Sequence, residues 1–216
     1  MHRCPRCEAR HDLCFCSEIP VLAVRTQVRI VLHAAELPVS SNTGRLAAAA
    51  LRGASVHLRG RRERPLGDET FAAPGRRLLL LFPSAGASVL SREFLDARPG
   101  PYTLLVPDGT WRQARKLPAR ERALDPVERV LLPPGPLSRY RLRVEPRPEC
   151  VSTIEAVARA LEVLEGPDAG PAVRARLEAL LEIKVERTIR SRAGGPFQPS
   201  PQASLRRGPG PRAEDP

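Results

Sequence analysis

The chain has 216 residues, of which 42% are apolar, so it can form one globular domain with its own core and is not wholly disordered. Lys and Arg number 35 against 24 Asp and Glu, which gives a formal net charge of +11. That balance favours polyanionic partners such as nucleic acid. The longest apolar run, 78–82, is too short to span a bilayer, and the N-terminus shows no apolar signal-peptide core. We therefore expect a cytoplasmic protein with no membrane partner.

Four cysteines lie within the first 16 residues. The pairs Cys4-x2-Cys7 and Cys14-x-Cys16 can surround one tetrahedral Zn²⁺, which would rigidify a segment too short to have its own core. Four protein ligands leave no open position, so this zinc is predicted to be structural or to grip RNA, and not to be the catalyst. Free thiols and a redox pair are the alternatives. Cys150 is interpreted as a small buried hydrophobe.

Strand and helix patterns alternate along the rest of the chain. Strands are predicted at 27–33, 54–58, 77–82, 102–106 and 127–132. Helices are predicted at 45–51, 88–96, from residue 111, at 152–164 and at 172–192. The runs at 77–82 and 102–106 are continuously apolar, which is typical of strands covered on both faces. The alternation predicts an α/β domain with a largely parallel sheet.

Composition divides the chain into three parts. Residues 1–18 form the predicted cysteine-rich zinc knuckle, and 19–193 form the α/β domain. Residues 194–216 are rich in Pro, Gly, Ser and Arg, so we expect a disordered tail there.

Three predicted strands end in polar, turn-forming segments. Open parallel sheets bind ligands beyond the carboxyl ends of their strands, so these segments are candidate site loops. They are His33-Ala34-Ala35-Glu36, Pro83-Ser84-Ala85-Gly86 and Asp108-Gly109-Thr110-Trp111. Taken singly, each has an ordinary structural interpretation: solvated side chains, a strand-to-helix turn, or an Asp-Gly turn with a capping Thr and a core Trp.

The third segment carries the most chemistry. Asp108 can take a proton or hold an ammonium group. Thr110 can cap the following helix, whose N-terminus favours an anion. Trp111 is the only tryptophan and can stack on a base, with Arg115 and Lys116 placing cations beside it.

The order of these segments resembles the DTW-domain family, named for an Asp-x-Thr-Trp motif. The shared segments are the two cysteine pairs, His33-Ala34-Ala35-Glu36, Asn42-Thr43-Gly44, Pro83-Ser84, Asp108-Gly109-Thr110-Trp111, Ala114-Arg115-Lys116, Arg143-Val144-Glu145-Pro146 and Ser152-Thr153-Ile154-Glu155-Ala156. The similarity covers about residues 1–190. One departure is Ala34 where the family usually has Pro, which removes a backbone restraint beside His33.

The resemblance implies a tRNA-uridine aminocarboxypropyltransferase. Such an enzyme moves the 3-amino-3-carboxypropyl group of S-adenosylmethionine to the uracil ring nitrogen of a uridine in tRNA. The resemblance also implies a relation to SPOUT-type RNA methyltransferases, whose parallel α/β sheets carry a C-terminal trefoil knot around the donor. Strand patterning does not reveal such a knot.

This assignment predicts three groups of site residues. The catalytic set is Asp108, as base or uracil-orienting residue, Thr110, which binds the donor's carboxylate or a phosphate, and Trp111, which packs on a base. The donor pocket is predicted to contain Pro83, Ser84, Ser152, Thr153 and Glu155. The RNA-binding set is His33, Glu36, Arg112, Arg115 and Lys116, with Arg139, Arg141, Arg143 and the arginines of the last helix as further phosphate contacts.

Two other functions stay open at this stage. One is a SPOUT-like RNA methyltransferase, and the other is a non-catalytic, zinc-containing RNA-binding protein. A P-loop or dinucleotide enzyme is excluded, because the chain has no Gly-x4-Gly-Lys-Ser/Thr or Gly-x-Gly-x2-Gly run.

Overall fold

Six parallel strands form the centre of a computed structural model, which describes residues 3–61, 65–143, 147 and 149–194. The strands are β1 (Gln27–His33), β2 (Ser55–Arg59), β3 (Arg77–Leu81), β4 (Ser88–Val89), β5 (Tyr102–Asp108) and β6 (Glu128–Leu131). The helices are α1 (Gly44–Ala50), α2 (Arg92–Ala97), α3 (Trp111–Ala114), α4 (Lys116–Arg120) and α5 (Thr153–Arg192). The predicted α/β class is confirmed.

The sheet has the order β2-β1-β5-β3-β6-β4, and every pair is parallel. All carboxyl ends therefore lie at one edge. Leu32 in β1 is the register partner of Asp108 in β5, so the end of β1 lies beside that carboxylate. Pro83 and Ser84 follow β3, the other neighbour of β5.

Successive side chains along the strands enter two apolar cores. Ile30 and Leu104 face one core, and Val31 and Leu105 face the other. The first core is covered by α1 and α5, and the second by α3 and α4, where Leu117 is fully buried. Burial on both faces explains why these strands are continuously apolar in sequence.

The cysteine-rich segment packs into the first core. Cys4, Cys7 and Phe15 are buried in the same cluster as residues of α1 and α5. The segment therefore adds to the core of the α/β domain.

Several boundaries differ from those predicted. Residues 88–96 do not form one helix, because Ser88–Val89 pairs with β6 as an edge strand and α2 begins only at Arg92, after its cap Ser91. The basic helix from residue 111 divides into α3 and α4, since Pro118 lacks the amide that would bond back to Ala114. β5 continues through Pro107 to Asp108, although one amide donor is missing there.

The two predicted C-terminal helices form α5, which bends at Gly166. This residue has φ 81° and ψ −180°, a conformation open to glycine, and Pro167 then suits the first turn of the second segment. The second helical segment therefore begins earlier than residue 172. Beside the bend, the Glu165 carboxylate accepts from the amides of Arg25 and Thr26 at 2.8 and 2.9 Å, which fixes α5 to the start of β1.

Two expectations are not tested by these features. The predicted tail lies outside the described residues except for Gly194, and the SPOUT-type knot stays a prediction. Of the helices that the structure describes, none has the length and apolarity to cross a bilayer.

Substitution of Gly170 tests the close packing beside the bend in α5. A Cβ there would lie 2.0 Å from the Glu162 carbonyl oxygen, and a backbone atom cannot move aside easily. We expect Gly170→Ala to lower the free energy of unfolding by about 1–3 kcal/mol in urea denaturation. The exposed Asp168→Ala serves as the control, with a change within about 0.5 kcal/mol. Equal stability of the two variants would refute the close packing at this bend.

Candidate active site

Asp108, the last residue of β5, lies at the centre of the carboxyl edge and is 5% exposed. Asn42 Nδ2 donates to its Oδ2 at 2.6 Å, and Thr153 Oγ1 donates to its Oδ1 at 2.5 Å. Asn42 comes from the loop between β1 and α1, and Thr153 is the first residue of α5. One carboxylate therefore holds together three segments that are distant in sequence.

The surroundings of Asp108 raise the pKa of its carboxyl group. Burial raises the pKa because the charged form loses water, and the bonds from Thr153 and Asn42 offset only part of this effect. The nearby Glu36 raises the pKa further, whereas Arg143 lowers it. A carboxylate with a raised pKa is a better proton acceptor near neutral pH.

Glycine and an oriented amide allow this close approach. A Cβ on Gly44, at the start of α1, would lie 2.4 Å from Asp108 Oδ2, so this position has no room for a side chain. The Asn42 Oδ1 accepts from the Arg45 amide at 3.2 Å, which turns the Asn42 NH2 group toward Asp108. The Asn42-Thr43-Gly44 segment therefore works as one unit around the carboxylate.

A cavity of about 320 Å³ opens in front of this carboxylate. It is lined by residues 41–43, 108–112 and 151–153, together with Tyr140 and Arg143. Such a volume lies at the lower end of the range for small-molecule sites. The cavity combines a buried acceptor, an indole and guanidinium groups.

The turn after β5 places Trp111 and Arg112 at this cavity. The Thr110 hydroxyl accepts from the Gln113 amide at 3.3 Å, and Gln113 Oε1 accepts from the Thr110 amide at 2.8 Å, which is a complete capping box. The predicted cap is therefore confirmed, and the Thr110 hydroxyl is used within it. Trp111 also contacts Phe82, with ring centroids 6.0 Å apart and planes tilted by 41°.

Glu36 is buried and faces a cation. Arg143 donates to Glu36 Oε2 at 2.7 Å and to Ser41 Oγ at 3.1 Å, and the Tyr140 hydroxyl donates to the Ser41 carbonyl at 2.6 Å. These bonds fix the segment before α5 to the loop after β1. Glu36 thus holds Arg143 at the cavity wall.

Glu155 fastens the start of α5. Its carboxylate accepts from the Ser152 amide and hydroxyl at 2.8 and 2.6 Å, which confirms the predicted capping box. It also accepts from the Ser138 hydroxyl and the Arg139 amide, both at 2.7 Å. The Glu155 carboxylate already accepts four hydrogen bonds and does not line the cavity. It holds in place the segment at the start of α5 that forms the cavity wall.

A second cavity of about 360 Å³ adjoins the first and shares Thr110 and Arg112 with it. Its other lining residues are His33, Arg59, Gln113, Lys116 and Arg120. Among the residues that the structure describes, this wall therefore carries four permanent cations and no carboxylate.

The two cavities divide the predicted site residues. The first contains Asp108, Thr110, Trp111, Arg112, Ser152 and Thr153, and the second contains His33, Lys116 and again Thr110 and Arg112. Pro83, Ser84, Glu36, Glu155 and Arg115 line neither, and Ser84 Oγ is buried without a hydrogen-bond partner among the described residues. Asn42, Arg59 and Arg120 were not among the predicted site residues. The sequence could have indicated Asn42, because it belongs to the Asn42-Thr43-Gly44 segment shared with the family. No motif indicated Arg59 or Arg120.

Many of the other predicted phosphate contacts are paired within the protein. Arg139 pairs with Glu182 at 2.7 Å, and Arg187 pairs with Glu18 at 3.2 Å. An arginine held in such an ion pair offers less positive charge to RNA than the cations that line the second cavity.

The four N-terminal cysteines meet in space. Their sulfur atoms lie within 4.8 Å of one another, with 3.4 Å between Cys4 and Cys16 and 3.7 Å between Cys7 and Cys14. Tetrahedral zinc with Zn–S bonds of about 2.3 Å needs sulfur atoms about 3.8 Å apart. The four cysteines therefore fit a zinc site with four thiolate ligands.

The thiols of this cluster differ in acidity. The backbone amide of Cys7 lowers the pKa of Cys4 to about 6, whereas burial raises the pKa of Cys7. A divalent cation would supply the charge that lets all four thiolates form together. Lys184 of α5 donates to the Cys7 carbonyl at 2.9 Å, and Glu8 forms an ion pair with Arg45 of α1, so the cluster is docked on the core.

Comparisons with known proteins find a family match and several relatives. The model of the family described as "DTW domain" matches residues 1–189 of the chain. The chain is 34% identical over 170 residues to tRNA-uridine aminocarboxypropyltransferase 2 of Drosophila melanogaster, covering 76% of this chain and 67% of that protein. It is 33% identical over 167 residues to the Mus musculus protein of the same name, covering 75% of this chain and 56% of that protein.

A plant relative matches over more of its length. The chain is 27% identical over 234 residues to tRNA-uridine aminocarboxypropyltransferase A of Arabidopsis thaliana, covering 94% of this chain and 86% of that protein. The chain thus spans just over half of the mouse relative and most of the plant one.

Elemental analysis of purified protein tests the metal site. We expect about one zinc per chain in the wild type and a clear loss in Cys7→Ser, since a tetrahedral site loses one of its four ligands. Cys150→Ala changes a buried thiol outside the cluster and should keep the zinc. Wild-type zinc content in Cys7→Ser would rule out the site.

Proposed function

Because the chain belongs to the DTW-domain family, we propose that it transfers the 3-amino-3-carboxypropyl group of S-adenosylmethionine to the uracil ring nitrogen of a tRNA uridine in the cytoplasm. The relatives named above are tRNA-uridine aminocarboxypropyltransferases, which supports the reaction class. The single observation that carries the proposal is the buried Asp108 carboxylate, which faces a cavity that it shares with Trp111.

In the proposed reaction, Asp108 accepts the proton of the uracil NH. The uracil NH lies between two carbonyl groups and is weakly acidic, so its nitrogen becomes a good nucleophile when a base takes the proton. Each Asp108 oxygen accepts one hydrogen bond and keeps a further acceptor site. Asn42 and Thr153 hold the carboxylate in place without using its whole capacity.

The choice of transferred group depends on orientation. When bound, S-adenosylmethionine supplies a sulfonium that activates three attached carbons. Transfer of the amino-acid arm requires its methylene to face the uracil, which is catalysis by positioning. The uracil nitrogen bonds to that methylene as the methylene–sulfur bond breaks, the sulfonium leaves as the neutral thioether 5′-methylthioadenosine, and the ring proton goes to Asp108. In our proposal, Arg143 and the Thr153 amide at the start of α5, beside Ser152, bind the carboxylate of that arm.

The remaining site residues complete the proposal. Pro83 and Ser84 stay predicted donor contacts at the end of β3, next to Phe82, although they line neither cavity in the structure. Thr110 fixes the turn and Trp111 packs on a base, while Glu155 holds the wall at the start of α5. His33, Arg112, Arg115 and Lys116 bind tRNA, and Glu36 acts through Arg143. Zinc stabilises the cysteine segment.

Substitution of the proposed base tests the function. We expect Asp108→Asn to lower the turnover rate by about 10²–10⁴-fold, because the isosteric amide cannot take a proton. The measurement is mass spectrometry of nucleosides from tRNA incubated with protein and S-adenosylmethionine. Asp125→Asn, at an exposed position, is the matched control.

The same measurement separates the alternatives. The product should carry an aminocarboxypropyl group; a uridine that gains only a methyl group would identify a methyltransferase instead. Wild-type turnover by an Asp108→Asn protein that binds tRNA and donor normally would remove Asp108 from the base role.

The pH dependence of the reaction provides a second test. A base must be deprotonated, so kcat/KM should rise with pH through the raised pKa of Asp108, at a higher pH than the usual value of 3.8. The Asn42 hydrogen bond lowers that pKa. Asn42→Ala should therefore move the acidic limb to higher pH, and Thr153→Val should move it the same way. An acidic limb unchanged in both variants would contradict the proposal.

A further inference from the structure

The second cavity is a concentrated positive site. Arg59, Arg112, Lys116 and Arg120 all contribute to its wall, and none of the acidic residues that the structure describes does so. Within the described part of the chain, none of these four forms a salt bridge within 4 Å. Glu121 acts on Arg59 electrostatically but lies outside the wall.

Arg59 shows that this charge is built into the fold. It is the last residue of β2, it is 5% exposed, and it donates to the Gln113 carbonyl at 3.2 Å. A buried cation without a carboxylate is unfavourable unless an anion compensates it. Burial lowers the pKa of Arg59, which reflects the same cost.

His33 adds a neutral donor to the same wall. Its Nδ1 accepts from the Ala35 amide at 3.2 Å, so in the uncharged ring the proton resides on Nε2. Burial and the charge of Arg59 lower the pKa of His33, which favours the uncharged ring. Four cations with one neutral donor suit an oxyanion better than a planar base.

We propose that this cavity binds one phosphodiester of the RNA, the one next to the uridine that enters the reaction cavity. The inference rests on the proposed function. Thr110 and Arg112 line both cavities, so a nucleotide whose base faces Asp108 has a backbone phosphate within reach of the second cavity. A base removed from its stack stays bonded to its flanking phosphates, and holding one of them fixes the base in register.

Salt-dependent binding of tRNA measures the contact. At about 0.1 M salt, Arg120→Ala should weaken binding about fivefold and reduce the slope of log Kd against log salt by about 0.7–0.9, the value for one phosphate. Arg122→Ala removes the same charge at an exposed position outside the cavity and is the control. Arg120 is also exposed, so the variant should fold normally, which thermal melting verifies.

Phosphate-ethylation interference locates the contact. tRNA with on average less than one ethylated phosphate per molecule is separated into bound and free fractions. The wild type should reject tRNA ethylated beside the uridine that mass spectrometry shows to be modified. Arg120→Ala should show reduced discrimination at that phosphate alone, because three cations remain in the wall, and Arg122→Ala should keep it in full.

Three results would overturn the inference. In the first, Arg120→Ala keeps full discrimination; in the second, the interference lies far from the modified uridine. In the third, inorganic phosphate at millimolar concentration displaces tRNA from the wild type but not from Arg120→Ala, which indicates a free-anion site. Because binding is measured without turnover, interference together with no modified nucleoside would refute the proposed reaction and leave an RNA-phosphate contact standing.

Discussion

The hydrogen bonds of Asn42 and Thr153 to the Asp108 carboxylate are the constraint on which the site depends. They join the loop after β1, the end of β5 and the start of α5, which surround one cavity. The carboxylate is nearly dehydrated, so its negative charge is costly and its affinity for a proton is high. The same two hydrogen bonds therefore close the fold at this edge and produce the chemical group that the proposed reaction needs.

Local and long-range features differ in how well the sequence predicted them. Continuous apolar runs predicted β3 and most of β5, and the spacing of Ser152 and Glu155 predicted the start of α5. These signals arise within a few residues. Other features depend on segments that meet only in the folded chain, so no local sequence pattern predicted them. Examples are the contact between Glu36 and Arg143 and the burial of Arg59. The motif order predicted which loops form the site but not which side chains only support it.

Pairing separates the arginines of this basic chain into two groups. Arg139 and Arg187 each contact a carboxylate and serve mainly to hold segments together. Those around the second cavity have no such partner among the described residues, and their charge is open to a phosphate. Net charge alone is therefore a poor guide to RNA contacts, and the distribution of carboxylates decides where the polyanion can bind.

Transfer of isotopic label distinguishes the proposed reaction from methyl transfer and from RNA binding alone. tRNA is incubated with wild-type protein and S-adenosylmethionine labelled either in the carboxyl carbon of its amino-acid arm or in its methyl group. The account predicts that carboxyl label enters tRNA and that methyl label does not. Incorporation of the methyl label, or of neither, would contradict it.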